Sequence, residues 1–394
     1  MPPIALRSLR LSTLFAPPVL MVAAELLLAA VIGVGLLLAG ADGTAWILGG
    51  IAAGAIVMTL SRTQFGLAPS PNRTARKIGQ LLVGLTVGFS VQHSNMGAIA
   101  ADVPLFILLT GCLLLGSLGV AALYVRVQKT DWLTAMLATT PGNIGVMASI
   151  AADYGSNPAL VSLVQLVRFT AVTSAIPLLS QVSRTNDAAS VLNHLAHHLV
   201  DGDPVYLLRL GLVLAIATVS VKVGERCKIP VPGLMGPLVV GIGFNALVNA
   251  LPFLPSVEFN PPTLLNLVGQ ILLGTTIGEY WGMNPNVGRF AIARATIPAA
   301  FTLLVGLGVA LIAQAVTDWD WLTCLLVTAP GGSPEMIWIA LMLNQDVETV
   351  TAGHLVRLIA LNILLPMIVA LAQYLERSRQ IEAPTLQSAD LPYR

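Results

Sequence analysis

One stretch of this chain occurs twice: DWLTAMLATTPGNIGVM begins at Asp131 and DWLTCLLVTAPGGSPEM begins at Asp320. Laid over each other at an offset of 189, residues 131–179 and 320–368 align without a gap, and 17 of the 49 positions are identical. The shared positions include Pro141/Pro330, Gly142/Gly331, Met147/Met336, Arg168/Arg357 and Pro177/Pro366, so the copies share their helix breakers and a buried charge as well as apolar composition. Further upstream, IGQLLVGLTVG from Ile78 matches VGQILLGTTIG from Val268 at an offset of 190. The repeated unit is therefore about half the chain, which confines the fold to two related halves.

The solvent follows from composition. With 56% hydrophobic residues, 10% charged residues and a mean hydropathy of +0.82, a water-soluble chain would have too little polar surface to cover itself. The reading is an all-α integral membrane protein. Apolar runs long enough to cross a bilayer as helix fall near 19–40, 45–60, 77–93, 103–125, 132–152 and 159–182. The second half repeats them near 205–221, 231–251, 264–283, 293–315, 321–343 and 349–374. The first run follows Arg7 and Arg10 as a signal sequence would, but it is long, carries Glu25 and lacks a small-x-small cleavage site, so it is expected to stay as the first span. A net charge of +1 offers no basic surface for nucleic acid. Cys112, Cys227 and Cys324 are too scattered for a disulfide framework or a metal site.

Loop charges set the expected topology, because Lys and Arg are retained on the cytoplasmic side of short loops. Arg62, Arg73, Arg76 and Lys77, then Arg126 and Lys129, mark two loops of the first half; their counterparts at 252–263 and 316–320 contain no Lys or Arg. The loops around Asp42 and Asp102 have no positive residue, while their counterparts carry Lys222, Arg226 and Lys228, then Arg289 and Arg294. Corresponding loops thus face opposite sides, which six full crossings per half would not allow. The repeated Pro-Gly segment is the one expected not to cross, since the break leaves limbs of about nine residues, each about 14 Å long at 1.5 Å per residue. The architecture is two inverted-topology repeats, residues 1–182 and 205–394, joined by an extracytoplasmic linker at 183–204. Each repeat has five spans and one re-entrant hairpin, about ten spans in all, with both termini cytoplasmic. A kinked helix that spans is the other reading, and it places the C-terminal tail outside.

Inverted repeats of this kind are common in secondary transporters. The two hairpin tips, Pro141-Gly142-Asn143 and Pro330-Gly331-Gly332-Ser333, are expected near the midplane, where helix N-termini favour an anion. Arg168 and Arg357 lie in apolar helices at mid-depth, where an unpaired charge costs about 2.5–3.5 kcal/mol on insertion scales. Each either touches a ligand or fixes structure, by capping carbonyls at the end of its hairpin's first limb or by pairing with Glu25 or Glu279. Gln165 and His354 sit one turn earlier on the same helix faces. Ser333-Pro334-Glu335 reads as an N-cap, a first-turn proline and a first-turn acid. Glu335 and His354 are also the candidates for a proton or coupling ion. Asp131 and Asp320 read as N-caps, Gln80 and Gln270 as supporting pore-lining or interhelical groups, and Gly84, Gly88, Gly274 and Gly278 as close helix packing. His194, His197 and His198 lie in the linker without a fourth ligand at suitable spacing, so no metal is expected.

The two Pro-Gly hairpins, each followed by a helix with Leu-Val-Arg, resemble the AbrB family of bacterial membrane proteins over nearly the whole chain. The pattern P-G-G-x-x-E-M of such families is matched by Pro330, Gly331, Gly332, Glu335 and Met336; the first copy matches it only at Pro141, Gly142 and Met147. The resemblance implies an internal duplication and a link to regulation of gene expression; members are also labelled ammonia monooxygenases. An oxygenase needs a copper or iron site of several His or carboxylate ligands, and the five histidines are dispersed. No loop or tail is large and basic enough for a DNA-binding domain, so a regulatory effect would be indirect. The expectation is a non-enzymatic, cofactor-free carrier, or a carrier-derived sensor, in the inner membrane, with a small organic anion as ligand. The bilayer is the partner, nucleic acid is not, and a homo-oligomer is left open. No P-loop for ATP is present.

Overall fold

A chain this apolar must satisfy its backbone polar groups within itself, and every regular element among the described residues is an α-helix. The computed structural model describes residues 18–39, 44–67, 69–94, 96–142, 144–181, 203–229, 231–250, 258–283 and 289–387. Asn143, the linker up to residue 202 with its three histidines, and both chain ends lie outside the described residues.

In the first half the helices are α1 (Pro18–Leu38), α2 (Ala45–Thr63), α3 (Arg73–Ser90), α4 (Met96–Ala101), α5 (Val103–Gln128), α6 (Trp132–Thr139), α7 (Ile144–Asp153) and α8 (Pro158–Gln181). The second half has α9 (Pro204–Arg226), α10 (Pro232–Asn249), α11 (Thr263–Gly282), α12 (Arg289–Val316), α13 (Trp321–Thr328), α14 (Ser333–Met342) and α15 (Val347–Gln387). Leaving α4 aside, the two series run in step. The short pair after the repeated Asp-Trp has 8 and 10 residues in both halves.

Local chemistry sets many of the starts. Asn72, Asp131, Asn157, Asp203, Asp320 and Asp346 each accept a backbone N–H from the first turn that follows, as short polar side chains do at N-caps.

Among the described residues eight helices are long and apolar enough to cross a membrane: α1, α2, α5, α8, α9, α10, α12 and α15. The chain is thus an all-α, multi-pass membrane protein. The ten spans expected from sequence also count α3 and α11, the more polar pair, which carry Arg73, Arg76 and Lys77, and Asn266, Gln270 and Glu279 respectively. Lipid-facing surface is plain elsewhere: Leu208, Phe290 and Ile363 are 67–74% exposed although fully apolar.

The chain divides into two compact units that cut across the sequence halves. The first holds α1, α2, α11 and α3 as far as Leu82. Here α2 crosses α11 at backbone distance: a Cβ on Gly50 would lie 2.6 Å from the Ile271 carbonyl oxygen, and Gly54, Gly274 and Gly278 are equally tight. Glu25 on α1 and Glu279 on α11 are both buried in this unit, and Glu279 Oε2 accepts the N–H of Asn72 at 2.8 Å. The second unit holds the rest. Its α10 meets the end of α3 as closely, through Gly84, Gly88 and Gly241. Its apolar core gathers α5, α6, α7, α8, α12 and α15 around Leu137, Met147, Val161 and Ala295.

Gly241 and Gly243 on α10 give a paired test of this packing. A Cβ at Gly241 would stand 2.6 Å from the Leu85 carbonyl oxygen, whereas one at Gly243 meets nothing within 4 Å. Gly241→Ala is expected to destabilise by about 1–3 kcal/mol through overpacking. Gly243→Ala is expected to leave thermal unfolding in detergent unchanged or raise it by about 0.5–1 kcal/mol.

Candidate functional site

The repeated segments are hairpins because proline stops each first limb. The residue before a proline is pushed out of the helical region; Thr140 (φ −63°, ψ 128°) and Ala329 (φ −52°, ψ 128°) are both extended, ending α6 and α13. The chain then turns back. Ser156 Oγ donates to Asp131 Oδ2 at 2.9 Å and the Asn157 N–H to Thr134 Oγ1 at 3.0 Å, so the segment ends where it began. The second copy closes in the same way, with Thr323 Oγ1 3.4 Å from Gln345 Oε1. The shared methionine has a local role: Met147 and Met336 pack against Gly142 and Gly331, so that a side chain at either glycine would have to push the methionine aside.

Ending a helix inside a buried region orphans its last carbonyls. Proline aggravates this, because Pro141 and Pro330 lack the N–H that Leu137 O and Leu326 O would accept. The missing donors come from the helix that follows each hairpin. Gln165 Nε2 on α8 donates to Leu137 O at 2.7 Å and to Thr140 O at 2.8 Å. His354 Nε2 on α15 donates to Leu326 O at 3.0 Å. One turn on, Arg168 Nη1 donates to Thr139 O at 2.9 Å and Arg357 Nη1 to Ala329 O at 2.8 Å. Each arginine is also tied to its neighbour: Arg168 Nη2 donates to Gln165 Oε1, and Arg357 Nη2 to His354 Nδ1, both at 2.5 Å. A carbonyl only accepts, so His354 carries its proton on Nε2 and is neutral, with Nδ1 free to accept.

Both guanidiniums are buried, at 2% and 3% exposure. Among the described residues neither is within ion-pair distance of a carboxylate. Glu25 and Glu279, the carboxylates considered as partners from sequence, belong to the first unit, whereas both arginines belong to the second. Arg357 is near enough to act on Arg168 electrostatically. The Nε of Arg168 is buried without a partner among the described residues.

At the tips, Pro141 and Pro330 are buried, while Gly142, Gly331 and Gly332 are half-buried. Gly332, not Ser333, takes the cap position of α14 and makes no side-chain cap bond. The Ser333 hydroxyl instead meets His354 Nδ1 at 3.2 Å, which corrects the N-cap reading by one residue. Glu335 is buried in the first turn, its Oε2 folded back over Gly332 beside the ring of Phe169. Phe169 was not singled out from sequence, and nothing local marks it. Gln80 and Gln270 are buried in the first unit. Among the described residues no three His, Cys, Asp or Glu side chains gather as a metal site.

The hairpin bases lie at opposite ends of α15. Its beginning follows the second hairpin directly, at Val347. Near its other end, Glu376 Oε2 accepts the Trp132 N–H at 2.9 Å and Arg379 Nη1 donates to Thr130 O at 3.1 Å, both at the base of the first hairpin. Between Val347 and Glu376 the helix rises about 44 Å at 1.5 Å per residue. Glu376 and Arg379 are a second omission of the sequence reading, being some 244 and 249 residues from their partners.

Comparison with known proteins relates the sequence to a family. The family described as "Transition state regulatory protein AbrB" matches residues 46–373. The chain is similar to "Uncharacterized protein YhjN" of Bacillus subtilis (strain 168), with 27% identity over 349 residues, covering 85% of this chain and 89% of that one. It is also similar to "Putative regulator AbrB" of Escherichia coli (strain K12), with 24% identity over 290 residues, covering 73% of this chain and 80% of that one.

Asp131 makes the first hairpin's base sensitive to acid. Burial pushes its carboxyl up, but hydrogen bonds from Thr134 and Ser156 outweigh burial and hold it below the usual 3.8. A carboxylate depressed on folding contributes stability that is complete above its unfolded value and is lost as pH falls through the folded one. Wild-type thermal stability is therefore expected to drop more steeply than that of Asp131→Asn below about pH 4. Asparagine keeps the cap and removes only the charge; parallel curves would refute this.

Proposed function

The chain belongs to the AbrB family, and we propose that it is a secondary carrier for a small organic anion, bound between the two hairpin tips. The observation that carries this reading is a pair of buried guanidiniums, Arg168 and Arg357, with no carboxylate at ion-pair distance among the described residues. Buried charge without a counter-charge is costly, and a bound anion relieves that cost. The half-buried glycines at the tips lie at the N-terminal ends of α7 and α14, where backbone N–H groups favour negative charge.

The transport reading rests on sidedness. Arg126, Lys129, Arg377 and Arg379 cluster at the end of α15 that holds the first hairpin's base, while Asp318, Asp320 and Asp346 flank the second hairpin's base without any Lys or Arg. By the positive-inside rule the first base is cytoplasmic and the second is outside. The two hairpins are then re-entrant from opposite faces. This supports inverted repeats of five spans plus one hairpin, with α3 and α11 as the ninth and tenth spans, in an inner membrane with both termini cytoplasmic. Alternating access would move the hairpin helices against the glycine-packed crossings. Glu335 and His354, both at the second tip, are the side chains through which a coupling proton would pass. The name of the E. coli relative, a regulator, favours a second reading, a membrane sensor that binds the same anion without moving it and acts on transcription indirectly.

The test is a thermal-stability screen of detergent-purified protein against carboxylates, inorganic anions and amines, repeated with Arg357→Gln, and then uptake into liposomes. An anion at 100 times its Kd is expected to add about 2.7 kcal/mol to the wild type and far less to the variant. Uptake separates carrier from sensor. Stabilisation by amines alone, or by anions equally in both proteins, would sink the anion site.

A further inference from the structure

The buried charges of the second unit add up to something specific. Among the described residues they are Arg168, Arg357 and Glu335, with His354 neutral through its hydrogen bonds. The partial charge at a helix end amounts to about half an elementary charge, less than any of these formal charges. The formal charges then decide, and with Glu335 ionised they leave a single positive charge.

Glu335 is built into this position. Its carboxylate folds over Gly332 on the side where the ring of Phe169, the residue after Arg168 on α8, also packs, and a side chain at residue 332 would displace it. The first hairpin has Val146 at the equivalent place, so the acid is present once for two arginines.

We propose that Glu335 sets the valence of the ligand: it cancels one of the two guanidinium charges, and the site takes a singly charged anion in preference to a dianion. The inference rests on the anion-site reading above. A monoanion brings the buried formal charge to zero. A dianion leaves an uncompensated negative charge in a low-dielectric interior, where like charges repel strongly. Replacing Glu335 by a neutral isostere restores the second positive charge and shifts the preference toward a dianion.

The experiment uses the full chain in detergent, as wild type, Glu335→Gln, Glu335→Asp and Arg357→Gln. Thermal stability is titrated with two matched pairs, monomethyl succinate against succinate and nitrate against sulfate. General salt effects on stability act on all four proteins alike and cancel in the comparison between them. The wild type and Glu335→Asp are expected to favour the monoanion of a pair, and Glu335→Gln to move the ratio toward the dianion by roughly tenfold or more. An unchanged ratio in Glu335→Gln, or a wild type that prefers succinate or sulfate, overturns the valence inference and leaves the anion site standing. If no anion of either valence separates the wild type from Arg357→Gln, the anion site itself falls, and the inference with it. Glu335→Asp guards against a variant that fails to fold, because it keeps the charge while altering the packing over Gly332.

Discussion

Two carbonyl groups that proline has deprived of their donors hold the rest of this structure in place. In a helix, Leu137 O and Leu326 O would accept from residues 141 and 330, but both are prolines and have no N–H to give. Left unsatisfied in a bilayer, each group would cost several kcal/mol. The donors arrive from Gln165 and His354, on helices that begin only after the hairpin has closed on itself. A Pro-Gly break in the middle of an apolar segment is therefore tolerable only if the following helix lies alongside the first limb with a polar side chain at that height. That requirement orders α6, α7 and α8 as one body, and α13, α14 and α15 as another.

The copies meet the same demand with different chemistry, and the difference has consequences. Gln165 offers an amide that donates to two carbonyls and accepts from Arg168. His354 makes one donor bond and turns its remaining nitrogen toward both Arg357 and the Ser333 hydroxyl. The second tip is thereby wired to its arginine through a ring nitrogen, while the first arginine keeps a buried Nε without a partner among the described residues. A duplicated scaffold has diverged at the positions that face the tips.

Much of the fold was legible because its signals are local or repeated. Helix breakers, N-cap aspartates at Asp131 and Asp320, and glycines four apart each act within one turn, and a repeat doubles the evidence for each. The capping role of Arg168 and Arg357 was legible as one of two alternatives, since a buried arginine after a broken helix has few places to go. Contacts between distant segments were not. Glu376 and Arg379 read as an ordinary cytoplasmic tail until α15 carries them back to Trp132 and Thr130. Phe169 is one apolar residue among many until the second tip packs on it. Ser333 suits a cap by its neighbours, but the histidine that competes for its hydroxyl is 21 residues away. Nor does a sequence repeat reveal that α11 packs with α1 and α2 in one compact unit, since packing partners need not share a copy.

Capping and ligand binding are not rival roles for the two arginines. A guanidinium has five N–H donors in a fixed plane, and each of these spends one on a limb carbonyl and one on its neighbouring side chain. Neither bond removes the positive charge. A neutral donor could have capped the same carbonyls, as Gln165 does for Leu137 and Thr140 in this very protein. Choosing arginine twice buries two charges that a purely structural role does not require, at a cost that a glutamine would have avoided. The charge is what needs a function, and the anion proposed at the tips would supply one. The same fastening would hold each guanidinium still as a ligand arrives, so that little side-chain entropy is lost on binding.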